Sequence, residues 1–297
     1  MNLTTTNVPL DLALLLRDYS IELTPRQSAI IDAASGRLDQ GTEVYLTWVP
    51  GTNPMDLVAA SSSLRRAGLI PVPHLGSRHV ESASQFERLI ARLVAEAGVD
   101  RVLIIGGDRH RPAGPFDSSL AVMESGILQK AGIFRMAIAG FPEGNPNISD
   151  PVLEEALAAK VNFARAAGIH LTILTQFCFE AEPVVAWLRR VRGLGIDVPM
   201  RIGLAGPAGL VTLMRYAIHC GVGNSLKVVL EKPSFARLLT EKGPEPILRG
   251  IVSALTSPSP DALPSGIAGF HFFVFGGFKK TIDWIDSQRA RPGQAPI

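Results

Sequence analysis

Eight apolar, β-rich runs punctuate the chain, and the material between them is helical in pattern. The runs are YSIEL (19–23), EVYLTWV (43–49), IPVPHLG (70–76), RVLIIGG (101–107), FRMAIAG (134–140), LTILTQF (171–177), PMRIGLAG (199–206) and GFHFFVF (269–275). Most are apolar nearly throughout, as parallel strands covered on both faces are. The intervening MDLVAASSSLRRAG, FERLIARLVAEAG and VVAWLRRVRGLG are amphipathic, and each ends in a glycine suited to a helix C-cap. The first seven runs start at intervals of roughly 25 to 37 residues, the size of a strand–helix unit. Eight such units predict α/β architecture, a (β/α)8 TIM barrel in a single domain over 1–297, rather than an open sheet.

The stretch between the seventh and eighth runs is longer, with room for the helical segments LVTLMRYAIHCG, SFARLLTEK and PEPILRGIVSAL. RHRPAGPFDSS after the fourth run and PEGNPNISD after the fifth have the look of working loops. The polar, Pro-containing tail over 286–297 is expected to fray.

Composition excludes several classes. A formal charge of +2 with no long basic run argues against a nucleic-acid partner, whose phosphates need clustered Lys and Arg. No apolar run reaches the ~20 residues that cross a bilayer. The N-terminus lacks the basic start and small-residue cleavage site of a secretory signal, so a cytoplasmic protein is the expectation. Cys178 and Cys220, the two cysteines, have no metal-ligand spacing and suit a reducing compartment as small core residues. No G-x-G-x-x-G opens a helix after a strand, which disfavours a Rossmann dehydrogenase. Nothing in the sequence bears on oligomeric state.

In such a barrel, chemistry sits where strands reach their C-terminal ends. Polar residues expected there are Glu22, Thr47, His74, Asp108, Glu143, Gln176 and His271. The Gly-Gly pair before Asp108 lets the chain turn and points the carboxylate into the mouth. The blander alternatives are that Asp108 caps a turn, and that His74 and His271 are satisfied core groups. Gln176 inside an apolar run is costly to bury without partners.

The segments SIEL, VYLTW, VPHLG, GGDR, GFPEGNP, LTQFCFE and GFHFFVF, in this order over roughly 18–285, resemble the methylenetetrahydrofolate reductases in their compact bacterial form. That resemblance implies reduction of 5,10-methylenetetrahydrofolate to 5-methyltetrahydrofolate, a hydride from NADH or NADPH, and FAD as the usual carrier. It implies Glu22 as the general acid that opens the methylene bridge, and Asp108 as the group that binds the pterin and tunes charge at the reaction centre. It further implies Gln176 as a pterin hydrogen-bonding group and Tyr216 as an aromatic that stacks on substrate or nicotinamide.

Thr47, His74 and Lys160 fall at flavin-contacting positions of the family, and Phe141 stands where the family has a tyrosine. The family's arginine before the Gly-Asp pair is Gly106 here, and its histidine after Pro-Glu is Asn145. Losing one such arginine removes a charge-assisted contact worth ~1.5–3 kcal/mol. These departures favour direct hydride transfer without flavin. Two rival readings are a folate-dependent methyl-transfer enzyme and a non-catalytic folate-binding protein.

Overall fold

In a computed structural model the eight runs pair in chain order, all parallel, and the last strand closes on the first. The strands are β1 (Ser20–Leu23), β2 (Glu43–Leu46), β3 (Ile70–Gly76), β4 (Arg101–Ile105), β5 (Arg135–Gly140), β6 (His170–Cys178), β7 (Met200–Ala205) and β8 (Ile267–Phe273). The structure describes residues 16–25, 28–48, 51, 53–209, 212, 243–256, 266–275 and 277–289. The expected (β/α)8 barrel is therefore the observed one. β2 and β4 are shorter than their apolar runs, because Thr47, Gly106 and Gly107 have already left the ladder at the mouth.

The helices of the described residues are α1 (Ser28–Ser35), α2 (Pro54–Arg66), α3 (Ala83–Ala97), α4 (Ser119–Glu124), α5 (Ile127–Lys130), α6 (Asp150–Ala166), α7 (Ala181–Gly193), α8 (Glu245–Thr256) and α9 (Phe278–Arg289). Local sequence explains their ends. The Ser82 side chain accepts from the Gln85 amide at the start of α3, and left-handed Gly98 (φ 57°) closes it. Along α3, Phe86, Leu89, Ile90, Leu93 and Ala97 are buried, a single stripe at helical spacing. Helix α9 runs through Arg289, so 286–289 belong to it and not to a frayed tail. Ile282, Ile285 and Gln288 bury one face of that helix, a periodicity the polar composition concealed.

Strand residues alternate between two apolar layers. Ile21, Val44, Leu75, Ile104, Ile138, Ile202 and Phe272 belong to the core cluster shared with the helices, whereas Tyr45, Val72, Leu103, Ala137 and Leu174 form a second cluster inside the barrel. Below the inner layer, at the strand starts, an ion-pair network lines the N-terminal end. Glu43 accepts from Arg101 (2.5 Å) and lies 3.4 Å from Arg201, and Asp100 and Asp18 hold the far sides of these guanidinium groups.

Packing is tight where β6, β7 and β8 meet. A Cβ at Gly203 of β7 would sit 2.4 Å from the Thr175 carbonyl oxygen and 2.8 Å from the Phe273 ring. Gly203→Ala is expected to cost about 2–3 kcal/mol in urea unfolding, since a backbone atom cannot rotate away. A loss below about 0.5 kcal/mol would mean that β6 and β7 are freer to part than this packing allows.

Candidate active site

Barrel closure assembles the surroundings of Glu22 from three strands. Glu22 is the third residue of β1, in register with Tyr45 on β2 and Phe273 on β8. Its side chain keeps 17% exposure, enough to meet a ligand in the mouth. Burial pushes its carboxyl up to about 8, so the group is a protonated acid at neutral pH. His74 Nε2 lies 3.7 Å from Glu22 Oε2, and His271 Nε2 lies 3.9 Å from the same oxygen. Burial takes His74 down to about 3 and His271 well below the ordinary range, with His74 and Arg201 also lowering the latter. Both rings are therefore neutral. Neither contact is an ion pair, and both are too long for hydrogen bonds.

The pocket walls explain that desolvation. The Ser20 hydroxyl lies 2.9 Å from His271 Nδ1 and fixes that ring. The Tyr45 ring meets His74 and His271 nearly edge-on, with centroids 5.9 and 4.7 Å apart. Phe177 packs against Phe179, Phe273 and Phe275 at 5.5, 5.3 and 5.0 Å, giving an aromatic wall on the β6–β8 side. Phe275 has φ 46°, a left-handed conformation strained for a non-glycine residue, at the end of that wall.

Asp108 follows Gly107, whose φ of 90° only glycine adopts readily. Its side chain is 59% exposed, and one carboxylate oxygen lies 2.6 Å from His79 Nε2. Gln176 is half-buried where the β6–β7 register slips, and its Oε1 accepts from the Phe177 amide at 3.0 Å. The Thr175 hydroxyl stabilises that irregularity, donating to the Gln176 carbonyl and accepting from the Gly203 amide. Glu143, in the loop after β5, accepts from the Phe179 and Glu180 amides at 2.7 and 3.2 Å. That carboxylate orders the end of β6.

The structure thus brings Glu22 and His74 together, with His271 as a third member. Asp108 and Gln176 stand at the ends of β4 and β6 with partners of their own. Tyr216 lies outside the described residues. His271 was legible as a polar residue in GFHFFVF, but its approach to Glu22 depends on β8 pairing with β1. His79 carried no such signal, because its partner lies 29 positions away, beyond α3 and β4.

Thr47, His74, Phe141 and Lys160, the residues expected to contact flavin, each have defined surroundings. The Thr47 hydroxyl donates to the Leu23 carbonyl at 3.2 Å, and His74 is buried against Glu22. Phe141 borders a small cleft with Leu153 of α6 and Trp187 of α7. Lys160 on α6 suits an anion: burial lowers its ammonium to about 8, and it has no ion pair among the described residues. A Cβ at Gly106 would meet nothing within 4 Å, so the arginine position of the family is open space.

The methylenetetrahydrofolate reductase family model matches residues 21–230. The chain belongs to that family. The matched segment contains Glu22, Asp108 and Gln176 and extends past β7. An oxidoreductase acting on folate is the assignment that membership supports. Solved structures of similar shape include a dihydropteroate synthase from Thermus thermophilus, 12% identical with a TM-score of 0.47, covering 91% of this chain and 92% of that one. Another is a deoxyribose phosphate aldolase from Aeropyrum pernix, 14% identical with a TM-score of 0.47 and 93% of each chain covered. At that level of similarity neither adds to what the strand topology establishes. Among the described residues, no cluster of His, Cys, Asp or Glu could hold a metal, and no helix is long and apolar enough to cross a membrane.

Proposed function

We propose that the protein reduces 5,10-methylenetetrahydrofolate to 5-methyltetrahydrofolate with NADH or NADPH, and that the hydride passes directly to the folate. The observation that supports this most is Glu22, set beside His74 and His271 and in register with Phe273 of the aromatic wall, its carboxyl pushed up to about 8 by burial. The methylene bridge joins N5 and N10 as an aminal. Glu22 donates its proton to N10, the carbon–N10 bond breaks, and the N5 iminium forms. The nicotinamide C4 hydride adds to that carbon to give the methyl group, and Glu22 regains a proton from water.

The neighbours suit the task. With His74 and His271 held neutral, no cation among the described residues beside Glu22 favours its ionised form. Asp108 and the Gln176 amide are complementary to the 2-amino-4-oxo edge of a pterin, as acceptor and donor. The Phe177–Phe179–Phe273–Phe275 wall offers flat apolar surface against which two rings can be aligned, and alignment is most of what hydride transfer needs. Flavin has no step in this scheme.

The test is an absorption spectrum of the purified protein, then NADH oxidation with and without methylenetetrahydrofolate. The expected result is a spectrum without bands near ~370 and ~450 nm, and NADH oxidation only when the folate is present. Flavin bands would overturn direct transfer while keeping the reductase. A colourless protein with no turnover, even after added FAD, would overturn the reductase.

A further inference from the structure

We propose that His79 is the positioning residue for Asp108, and that it fixes which carboxylate oxygen a folate meets; this rests on the folate-reducing reading above. A carboxylate only accepts, so His79 Nε2 carries the hydrogen in the 2.6 Å bond to Asp108 Oδ1. Among the described residues this is the hydrogen bond made by the Asp108 side chain. With Oδ1 engaged, Oδ2 is left as the acceptor for an N–H donor such as the pterin 2-amino group.

His79 is held unusually well for a group outside the strands. It ends a 3-10 turn, Ser77–His79, that is stapled to the loop after β4. The Ser77 hydroxyl donates to the Ile105 carbonyl at 2.9 Å, and the Arg78 amide donates to the Gly106 carbonyl at 2.9 Å. The Arg78 guanidinium reaches the Asp117 and Arg109 carbonyls at 2.7 and 3.2 Å, and the Ala113 amide donates back to the Arg78 carbonyl. Two glycines make the slot for the ring. A Cβ at Gly107 would lie 2.8 Å from His79 Cδ2, and one at Gly76 would lie 3.1 Å from it. The second glycine before Asp108 is thus required twice, for its φ of 90° and for the imidazole that packs on it. An aspartate more than half exposed would otherwise sample several rotamers. The bond to a partly buried, braced imidazole, its side chain 14% exposed, removes that freedom before substrate arrives.

The test is steady-state kinetics of the full chain for His79→Ala, His79→Gln, Asp108→Asn and the Ala–Asn double variant, with thermal melts as a control for folding. His79→Ala is expected to raise KM for methylenetetrahydrofolate about tenfold, with kcat within about threefold and KM for NADH unchanged. His79→Gln, which returns an N–H donor at the same reach, is expected to recover most of that loss. The double variant is expected to be no worse than Asp108→Asn alone, because the two side chains act as one unit. His79→Leu replaces the alanine variant should the latter not fold, since it fills the slot without a donor. An unchanged folate KM in an active His79→Ala or His79→Leu enzyme, or full additivity with Asp108→Asn, overturns the inference and leaves the functional reading standing. A wild-type protein that neither oxidises NADH with the folate nor binds it overturns both.

Discussion

Replacing Glu22 by glutamine is expected to abolish most of the activity and to make the protein more stable. Loss of a positioned proton donor lowers kcat by about 10²–10⁴-fold, with folate affinity largely kept. Stability moves the other way. In the unfolded chain the carboxyl titrates near its ordinary 4.5, and in the folded chain burial pushes it up to about 8. A raised carboxyl pKa means that the contribution to stability is fully present below the unfolded value and is lost as pH rises toward the folded one. At pH 7 the unfolded state gains from ionising and the folded state does not, a disadvantage of about 3 kcal/mol. Glutamine keeps the shape of the protonated acid without that liability. Urea unfolding at pH 5 and pH 8 should show a smaller fall in stability for Glu22→Gln than for the wild type. The wild-type kcat should fall as pH rises through about 8, where the acid loses its proton. A glutamine variant that is less stable at pH 8, or that keeps full turnover, would remove Glu22 from the role of buried acid.

Removing Glu43 is expected to cost about 3 kcal/mol without touching the chemistry. Glu43 sits between Arg101 and Arg201 at the N-terminal end of the barrel; the side chains of Glu43 and Arg201 are only 16% and 9% exposed. Deleting one partner of a buried pair leaves an uncompensated charge, which typically costs more than the pair itself contributes. Arg101 keeps Asp100 and Arg201 keeps Asp18, which moderates the loss. Glu43→Ala should therefore lower the urea midpoint while the folded enzyme keeps its kcat. Glu43→Gln, which retains an acceptor, should lose less. Equal kcat losses in both variants would mean that the two ends of the barrel are coupled, contrary to their separation by the Tyr45–Val72–Leu103 layer.

The barrel was legible because its strands are apolar on both faces. Burial against helices outside and side chains inside leaves no polar alternation, and the runs stand out at the spacing of a strand–helix unit. Glu22, Asp108 and Gln176 were legible as polar residues at strand ends and through the family segments around them. The pairing of His74 and His271 around Glu22 was not, because it requires β1 to lie between β2 and β8 with His74 reaching in from β3. The ion-pair network at the other end was also unread. Glu43 and Arg101 open EVYL and RVLII and Arg201 is second in MRIGLA, where a charged residue near the start is indistinguishable from a solvated loop end until the barrel closes. Helix α9 shows the same limit: Gln288 is 4% exposed, and composition alone assigned it to solvent.

The most direct test of the reductase reading is the fate of the hydride. NADH deuterated at the transferring C4 position would be incubated with methylenetetrahydrofolate and the protein, and the 5-methyltetrahydrofolate product weighed by mass spectrometry. Direct transfer places one deuterium in the methyl group with no dilution by solvent, and the unlabelled cofactor in deuterated water leaves the methyl group unlabelled. Label appearing from solvent would contradict direct transfer, since a hydride held on an exchangeable carrier is lost to water. No methyl product with either cofactor would contradict the reductase reading itself.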